Sequence, residues 1–159
     1  MLPLIQLYSI LEEERSHILE RFTKVANKHF RFKETKGTWN SELIFRHILM
    51  SNYWLLRNLP GGEELTPPAI ALNPGQVSDN DVSINHLRDA FLLVSDIIKQ
   101  RLSYLQPEEE EEIIETFRGK KPRQTVILGL IYHELRHLGQ ITWLFKRSTG
   151  WTDEEIYSN

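Results

Sequence analysis

Apolar residues recur at steps of three, four and seven positions along four stretches of the chain, which is the spacing of a single helix face. The first two stretches carry Leu4, Leu7, Leu11, Ile18, Phe22 and Val25, and then Leu43, His47, Met50 and Trp54. The last two carry Ile84, Leu87, Phe91, Val94, Ile98, Leu102 and Leu105, and then Val126, Leu130, His133, His137, Ile141 and Leu144. No segment of comparable strength alternates as a strand does. The sequence therefore predicts an all-α protein, most simply a four-helix bundle.

Residues that suit helix ends flank these stretches. Asn40 or Ser41 can cap the start of the second helix, and Ser83 can cap the start of the third, because their side-chain oxygens accept from free backbone N–H groups. The run 60–62, Pro-Gly-Gly, follows the second helix, and Gly150 lies just beyond the fourth. Glycine commonly ends a helix, so these positions set the predicted boundaries.

A long connection separates the second helix from the third. Between Leu59 and Asp81 the chain includes the run LPGGEELTPPAIALNPGQVSD, which is rich in proline and glycine and has no helical period. Connections of this length are unusual inside compact domains. A helix of about 20 residues is roughly 30 Å long, and a loop must cover that distance if the next helix starts at the same end. We therefore predict that the second and third helices run parallel and that the other neighbours run antiparallel, as an up-down-down-up bundle.

The stretch 106–121 has a weaker pattern. Pro107 is followed by five glutamates, Glu108 to Glu112, and this could begin a short helix because proline suits the first turn and acidic residues favour that end. Nothing in the sequence folds the glutamates inward, so we interpret them as a solvated surface and not as a cation site.

Length and composition narrow the class of protein. The chain has 159 residues, enough for one domain with its own core, and we expect a single domain over 1–159. A net charge of −3 offers no concentrated basic surface for nucleic acid. The opening residues lack a basic leader with a cleavage site, and no stretch approaches the roughly 18 apolar residues of a membrane span. We expect a cytoplasmic protein that contacts neither membranes nor nucleic acid.

Three histidines occupy positions in the apolar stripes. His133 and His137 are four residues apart and therefore lie on one side of the fourth helix, and His47 takes a similar position in the second. Burial of an unpartnered polar ring costs about 1–3 kcal/mol, whereas a shared metal ion would accept the lone pair of each ring. The alternative is three core histidines satisfied by hydrogen bonds. We interpret the remaining histidines as surface residues: His17, His29 and His86.

Residues 133–137, His-Glu-Leu-Arg-His, fit the HExxH pattern of zinc peptidases. The longer form of that pattern needs glycine and histidine where this chain has Gln140 and Trp143. A downstream glutamate ligand would have to be Glu154 or Glu155, and little chain remains to hold either. The glutamate of the pattern also points about 100° away from His133 around the helix, and no strand is predicted for a substrate cleft. A peptidase is therefore the less favoured interpretation.

With these features, the chain resembles the DinB/YfiT-like superfamily of small metal-binding four-helix bundles. The resemblance depends on a histidine in TWNSELIFRHILMSNYWLL, on HELRHLGQITWL in the last helix, and on the order of helices with the FRGKKPRQT turn, so it covers essentially the whole chain. It implies a three-histidine site made of His47, His133 and His137, followed by Gly139-Gln140. Leu138 is a departure, because many members carry arginine there.

Three imidazoles without a thiolate or carboxylate suit zinc, nickel, iron or manganese, and three protein ligands leave a coordination position open. An ion at such a site lowers the pKa of a bound water or thiol. The resemblance implies a thiol-dependent S-transferase or isomerase that uses a low-molecular-weight thiol, and the S-transferase is the favoured interpretation. Since the chain has no cysteine, the thiol must come from a small molecule that attacks an electrophilic substrate. Gln140 either contacts a histidine ligand or the substrate, or simply packs within the helix bundle. Lys120, Lys121 and Arg123 could hold a carboxylate of the thiol or be a solvated turn.

Two other functions stay open on the sequence. A metal-dependent hydrolase would use the metal-bound water with Glu134, or another carboxylate, as its base. A binding or stress-response protein would hold the metal without turnover. We also expect a homodimer, because the chain carries several large aromatic residues that either fill the core or lie in a subunit contact: Trp39, Trp54, Trp143 and Trp151.

Overall fold

The computed structural model describes residues 2–62, 65–78 and 80–158. Four long helices carry the predicted stripes, and three short helices and a two-stranded hairpin lie between or after them. In chain order the elements are α1 (Leu4–Phe22), α2 (Asn27–Phe30), α3 (Ser41–Arg57), α4 (Ile84–Tyr104), α5 (Pro107–Glu111), β1 (Ile113–Thr116), β2 (Gly119–Pro122), α6 (Arg123–Thr149) and α7 (Asp153–Tyr157). No helix in the described ranges has the length and apolar character that a membrane crossing requires.

The predicted helix ends are confirmed. Asn40 caps α3 through its side-chain oxygen, which accepts from the Leu43 N–H at 2.8 Å. Ser83 caps α4 in the same way. α6 ends at Gly150, whose φ of 76° lies in the left-handed region, where glycine is favoured because it has no Cβ to clash.

The second and third long helices, α3 and α4, run parallel. Glu42 in the first turn of α3 accepts from the Val82 N–H just before α4 begins. At the other end, Arg101 near the end of α4 donates to the Pro60 carbonyl just after α3. Both helices therefore start and end together, and the chain between them crosses the length of the bundle as predicted.

The remaining directions follow from contacts between helices. α1 is antiparallel to α4, and α3 is antiparallel to α6. The contacts that fix these directions are Glu12–Lys99, Glu20–Arg88, His47–His133 and Asn58–Arg123. α1 and α6 also pack against each other and run parallel, since Arg15 contacts Glu134 and Phe22 contacts Phe145. The up-down-down-up order is confirmed, and the parallel first and last long helices, α1 and α6, are what that order implies.

The hairpin between α5 and α6 was not predicted. α5 begins at Pro107 as expected, but the chain then forms β1 and β2, which pair antiparallel with Ile114 opposite Lys121 and Glu115 opposite Lys120. Gly119, with φ of 91°, supplies the turn. Each strand has only four residues, too few for an alternating pattern to be distinguished from an irregular loop.

The buried face of α6 lies one position away from the predicted stripe. Its buried residues are Arg123, Ile127, Ile131, Glu134, Leu138, Ile141, Leu144 and Phe145. Val126, Leu130, His133 and His137 are only partly buried. The helix is therefore turned so that its histidines face the edge of the core beside α3, and the expectation that they stand inside the core stripe is wrong.

A cluster of polar side chains fills the middle of the bundle. Arg15 is 1% exposed and Glu134 is 2% exposed, and Arg15 donates to the Glu134 carboxylate at 2.6 Å. Asn52 donates to the other carboxylate oxygen at 3.0 Å, while the Ser95 hydroxyl accepts from Arg15 and the Tyr8 hydroxyl donates to Asn52. We call these five residues the core polar cluster; they connect α1, α3, α4 and α6.

Candidate metal centre

The three predicted histidines meet at one point between α3 and α6. Their Nε2 atoms converge: His133 lies 3.4 Å from His47 and 3.1 Å from His137. One ligand atom from each ring lies within 4.8 Å of the other two. Tetrahedral zinc with Zn–N bonds of 2.0–2.1 Å places its nitrogens about 3.3 Å apart. The spacing of the rings therefore fits a shared metal ion, and the group could hold one.

The opposite nitrogen of each ring contacts an oxygen. The three contacts are His47 Nδ1 to the Leu72 carbonyl at 3.3 Å, His133 Nδ1 to the Ser51 hydroxyl at 3.3 Å, and His137 Nδ1 to the Gln140 side-chain oxygen at 2.7 Å. The Ser51 hydroxyl donates to the His47 carbonyl at 3.2 Å, so it accepts from His133. With all three Nδ1–H groups donating, every Nε2 lone pair faces the centre, which is the tautomer that a metal ligand requires.

Burial keeps these rings neutral. Desolvation lowers the pKa of His47 and of His137, although the Leu72 carbonyl and the Gln140 side chain partly oppose it. The pKa of His133 falls to about 4, mainly through burial, then through the neighbouring His137 and His47 rings, and least through Arg136 and Arg118. Three uncharged rings whose lone pairs point at one another repel unless a cation lies between them.

The long connection between α3 and α4 supplies part of the site. Leu72, which accepts from His47, is held by its own N–H donating to the Arg46 carbonyl at 3.1 Å. The Arg46 side chain donates to the Ile70 carbonyl at 2.8 Å. A backbone carbonyl in a loop leaves no sequence signal, so this contact could not have been predicted. Trp54 flanks His47 at a ring distance of 5.7 Å.

Two clefts open beside the histidines. One has a volume of about 710 Å³, reaches His133 and is bounded by the β-hairpin and by Trp54. The other has a volume of about 700 Å³, reaches His137 and is bounded by Trp39 and Trp143. Each cleft therefore has one histidine of the candidate metal centre in its lining.

Glu134 does not face the histidines. Its carboxylate accepts from Arg15 and Asn52 inside the core. Burial raises the pKa of this carboxyl, while the Arg15 guanidinium and the Asn52 amide lower it. A carboxylate engaged in a buried ion pair is not available to activate water at the metal. The geometry therefore lacks the feature that gives the HExxH pattern its peptidase chemistry.

The other candidate positions separate clearly. Gln140 contacts His137, as proposed. Lys121 lines the cleft at the hairpin, whereas Lys120 is exposed. Arg123 is buried and donates to the Asn58 and Glu109 carbonyls and to the Glu112 carboxylate, so it joins the loops and is not free to hold a ligand.

The remaining histidines lie outside the cluster. His86 is exposed, as predicted. His17 is partly buried because it contacts the Ile156 carbonyl at 2.7 Å and stacks on Tyr157. His29 is also partly buried. The surface interpretation therefore holds fully for His86 alone of the three.

The tryptophans contribute mainly to packing and to the site. Trp39 and Trp54 flank His47, and Trp151 packs edge-on against Phe145. Trp143 is 54% exposed at the cleft beside His137. Dimerisation and a cytoplasmic location stay predictions.

Comparison with known proteins identifies a sequence family and a similar solved structure. The sequence model of the DinB superfamily matches residues 10–141. The crystal structure of YjoA, a DinB-like protein from Bacillus subtilis, is similar with a TM-score of 0.63 over 93% of this chain and 94% of that chain. The two sequences are 18% identical, so this likeness concerns the fold alone. No curated protein matches the sequence.

Proposed function

The chain belongs to the DinB superfamily, and from this premise we propose that it is a divalent-metal-dependent transferase that activates a low-molecular-weight thiol. The observation that carries the proposal is the convergence of three Nε2 atoms whose Nδ1 atoms are already satisfied. Such a donor set fits an ion with an open coordination position, and two clefts lead to it.

His47, His133 and His137 would hold the ion, and Leu72, Ser51 and Gln140 would keep their rings in the required tautomer. Zinc, nickel, iron and manganese all accept imidazole ligands. When bound, a divalent ion supplies a positive charge that lowers the pKa of a thiol or water beside it.

The surroundings of the histidines favour a thiol over water as the nucleophile. A metal-dependent hydrolase gains rate from a positioned carboxylate that takes a proton from water or gives one to the leaving group, and among the described residues lining the two clefts the only carboxylate is Glu34. Glu34 contacts Arg147 at 3.4 Å. A thiol ionises near neutral pH once its pKa falls, and its proton can pass to solvent without a protein base.

The transfer itself is a substitution. The sulfur forms a bond to the electrophilic carbon, the bond from that carbon to its leaving group breaks, and the leaving group departs with the electron pair. Because the chain has no cysteine, the sulfur belongs to the small thiol, and the two clefts give the two reactants separate routes to the histidines.

The proposal is tested by metal content and conjugation rate measured together. Protein purified without chelators is analysed for zinc, nickel, iron and manganese. It is then assayed with 2-mercaptoethanol and an aryl chloride, with and without added metal. We expect bound metal and a metal-dependent rate of conjugate formation, both lost in His137→Ala, because two imidazoles hold a divalent ion much more weakly than three.

His86→Ala is the matched control, since it removes an exposed histidine outside the cluster, and it should retain both properties. Metal occupancy without conjugation would contradict the transferase and support a protein that binds metal without turnover. Metal-dependent hydrolysis of an ester, with no conjugation, would support the hydrolase instead.

A further inference from the structure

The cleft beside His133 lies between the hairpin and the facing ends of α3 and α6. We call it the hairpin cleft; it is lined by Trp54 and Arg57 of α3, by Phe117, Arg118 and Lys121 of the hairpin, and by Thr125 and His133 of α6, among others. The histidine site forms one part of its wall and the hairpin forms another. A ligand in this cleft can therefore contact both at once.

Strand alternation decides which charges enter the hairpin cleft. Successive side chains of a strand point to opposite faces. Thr116 and Lys121 line the cleft, whereas Glu115 and Lys120, which are opposite each other in the register, are exposed. The hairpin thus directs a lysine inward and its only acidic residue outward.

The lining of the hairpin cleft is cationic. Arg57, Arg118 and Lys121 line it, and its lining includes no described acidic residue. None of the three forms an ion pair with a carboxylate within residues 2–62, 65–78 and 80–158. Like charges grouped without counter-charges repel one another, and an anion between them removes that repulsion.

The second cleft has a different charge. Its lining includes Glu34 as well as Arg136, together with Trp39 and Trp143. An acid and a base on the same wall give no net attraction for an anion. The two sides of the histidine site therefore differ in the ligand charge that they favour.

We infer that the hairpin cleft binds the anionic part of a reactant, a carboxylate or phosphate group, with Lys121 and Arg118 as its principal contacts and Arg57 nearby. This inference rests on the proposed function for the role of that molecule as a reactant. The anionic end lies against the hairpin, and the remainder of the molecule extends along Trp54 toward His133.

Isothermal titration of the zinc-loaded protein tests the inference with three probes: glutarate, glycerol phosphate and the uncharged analogue 1,5-pentanediol. We expect one or both anions to bind and pentanediol not to bind. Lys121→Gln and Arg118→Gln should each weaken anion binding about two- to fivefold, the effect of one partly exposed charge pair. Which anion binds more tightly distinguishes a carboxylate ligand from a phosphate ligand.

Lys120→Gln is the matched control, because it removes the same charge from the neighbouring residue on the outer face of the hairpin, and it should leave binding unchanged. The inference is overturned if neither anion binds, if pentanediol binds as tightly as glutarate, or if Lys120→Gln weakens binding as much as Lys121→Gln. It is also overturned if the anion binds but Lys121→Gln and Arg118→Gln have no effect, since the anion then contacts the metal alone.

This titration measures binding without turnover. A protein that binds anions through Lys121 but conjugates no thiol would contradict the transferase and leave the anion site intact. Conjugation that does not change with added anions or with Lys121→Gln would support the transferase and contradict the anion site.

Discussion

The histidine cluster and the core polar cluster are built from adjacent residues of the same two helices. On α6 they use His133 and Glu134; on α3 they use Ser51 and Asn52, which contact those two residues respectively. Adjacent positions on one helix therefore contribute to the histidine cluster, which lies beside clefts, and to the core polar cluster, which is buried. The core polar cluster brings its own cation, Arg15, whereas the histidines present lone pairs to one another.

This difference shows how a small bundle can hold polar groups for two purposes. Arg15 and Glu134 neutralise each other, and Arg15 also lies over the Phe91 ring at 4.5 Å, so the charges of the cluster are balanced without a ligand, although the Arg15 Nε has no hydrogen-bond partner among the described residues. The histidines, which lie beside two clefts, could hold a metal ion that comes from outside the chain. Three measurements test this difference between the histidine cluster and the core polar cluster.

The largest effect is expected when the core polar cluster loses one charge. Glu134→Ala leaves the Arg15 guanidinium buried without a carboxylate, and we expect the free energy of unfolding to fall by about 3–5 kcal/mol in urea titration. Replacement of both partners, Arg15→Met with Glu134→Leu, should cost much less. Glu108→Ala, which removes an exposed glutamate, serves as the control. A loss near zero for Glu134→Ala would show that the ion pair does not form.

A smaller effect is expected at the histidine site when an orienting residue is removed. Gln140→Ala deprives His137 Nδ1 of its acceptor while leaving all three ligands in place, and we expect zinc affinity to fall about tenfold or more. Competition with a chromophoric chelator measures this. The free energy of unfolding of the metal-free protein should change little, because Gln140 is exposed. Unchanged zinc affinity would mean that Gln140 does not orient His137.

The smallest effect concerns pH in the metal-free protein. The pKa of His133 is about 4 in the folded state, below the roughly 6.5 of an unfolded histidine, so the unfolded chain binds more protons between these values. Stability should therefore be full above about pH 6.5 and decline as the pH falls toward 4. Urea midpoints at pH 7 and pH 5 should differ less in His133→Ala than in the wild type. Equal differences in both proteins would assign the decline to other groups.

The helices and the pairing of His133 with His137 could be predicted from the sequence because both depend on local spacing, and the stripe position of His47 together with the family resemblance added it to the group. The stripe of α4 from Leu87 to Leu102 is buried as predicted, and Asn40 and Ser83 cap as their chemistry requires. His133 and His137 were recognisable as a pair because they share one side of a helix, and that they bind a metal stays a prediction.

What the sequence did not predict depends on partners distant in the chain. Glu134 looks like a surface residue until the topology brings Arg15 beside it, and this misled the assignment of the buried face of α6. The acceptors Ser51 and Leu72 could not be predicted either, because neither a serine in a helix nor a loop carbonyl has a distinctive sequence pattern. The hairpin was too short to show one.

The backbone of Leu72 makes two hydrogen bonds to α3. Its N–H donates to the Arg46 carbonyl and its carbonyl accepts from His47. The connection between α3 and α4, which spans the length of the bundle, is thus held near its middle by His47 of the candidate metal centre. An ion that fixed the His47 ring would strengthen the attachment of this connection to α3. Metal occupancy and the local rigidity of the connection would then rise together.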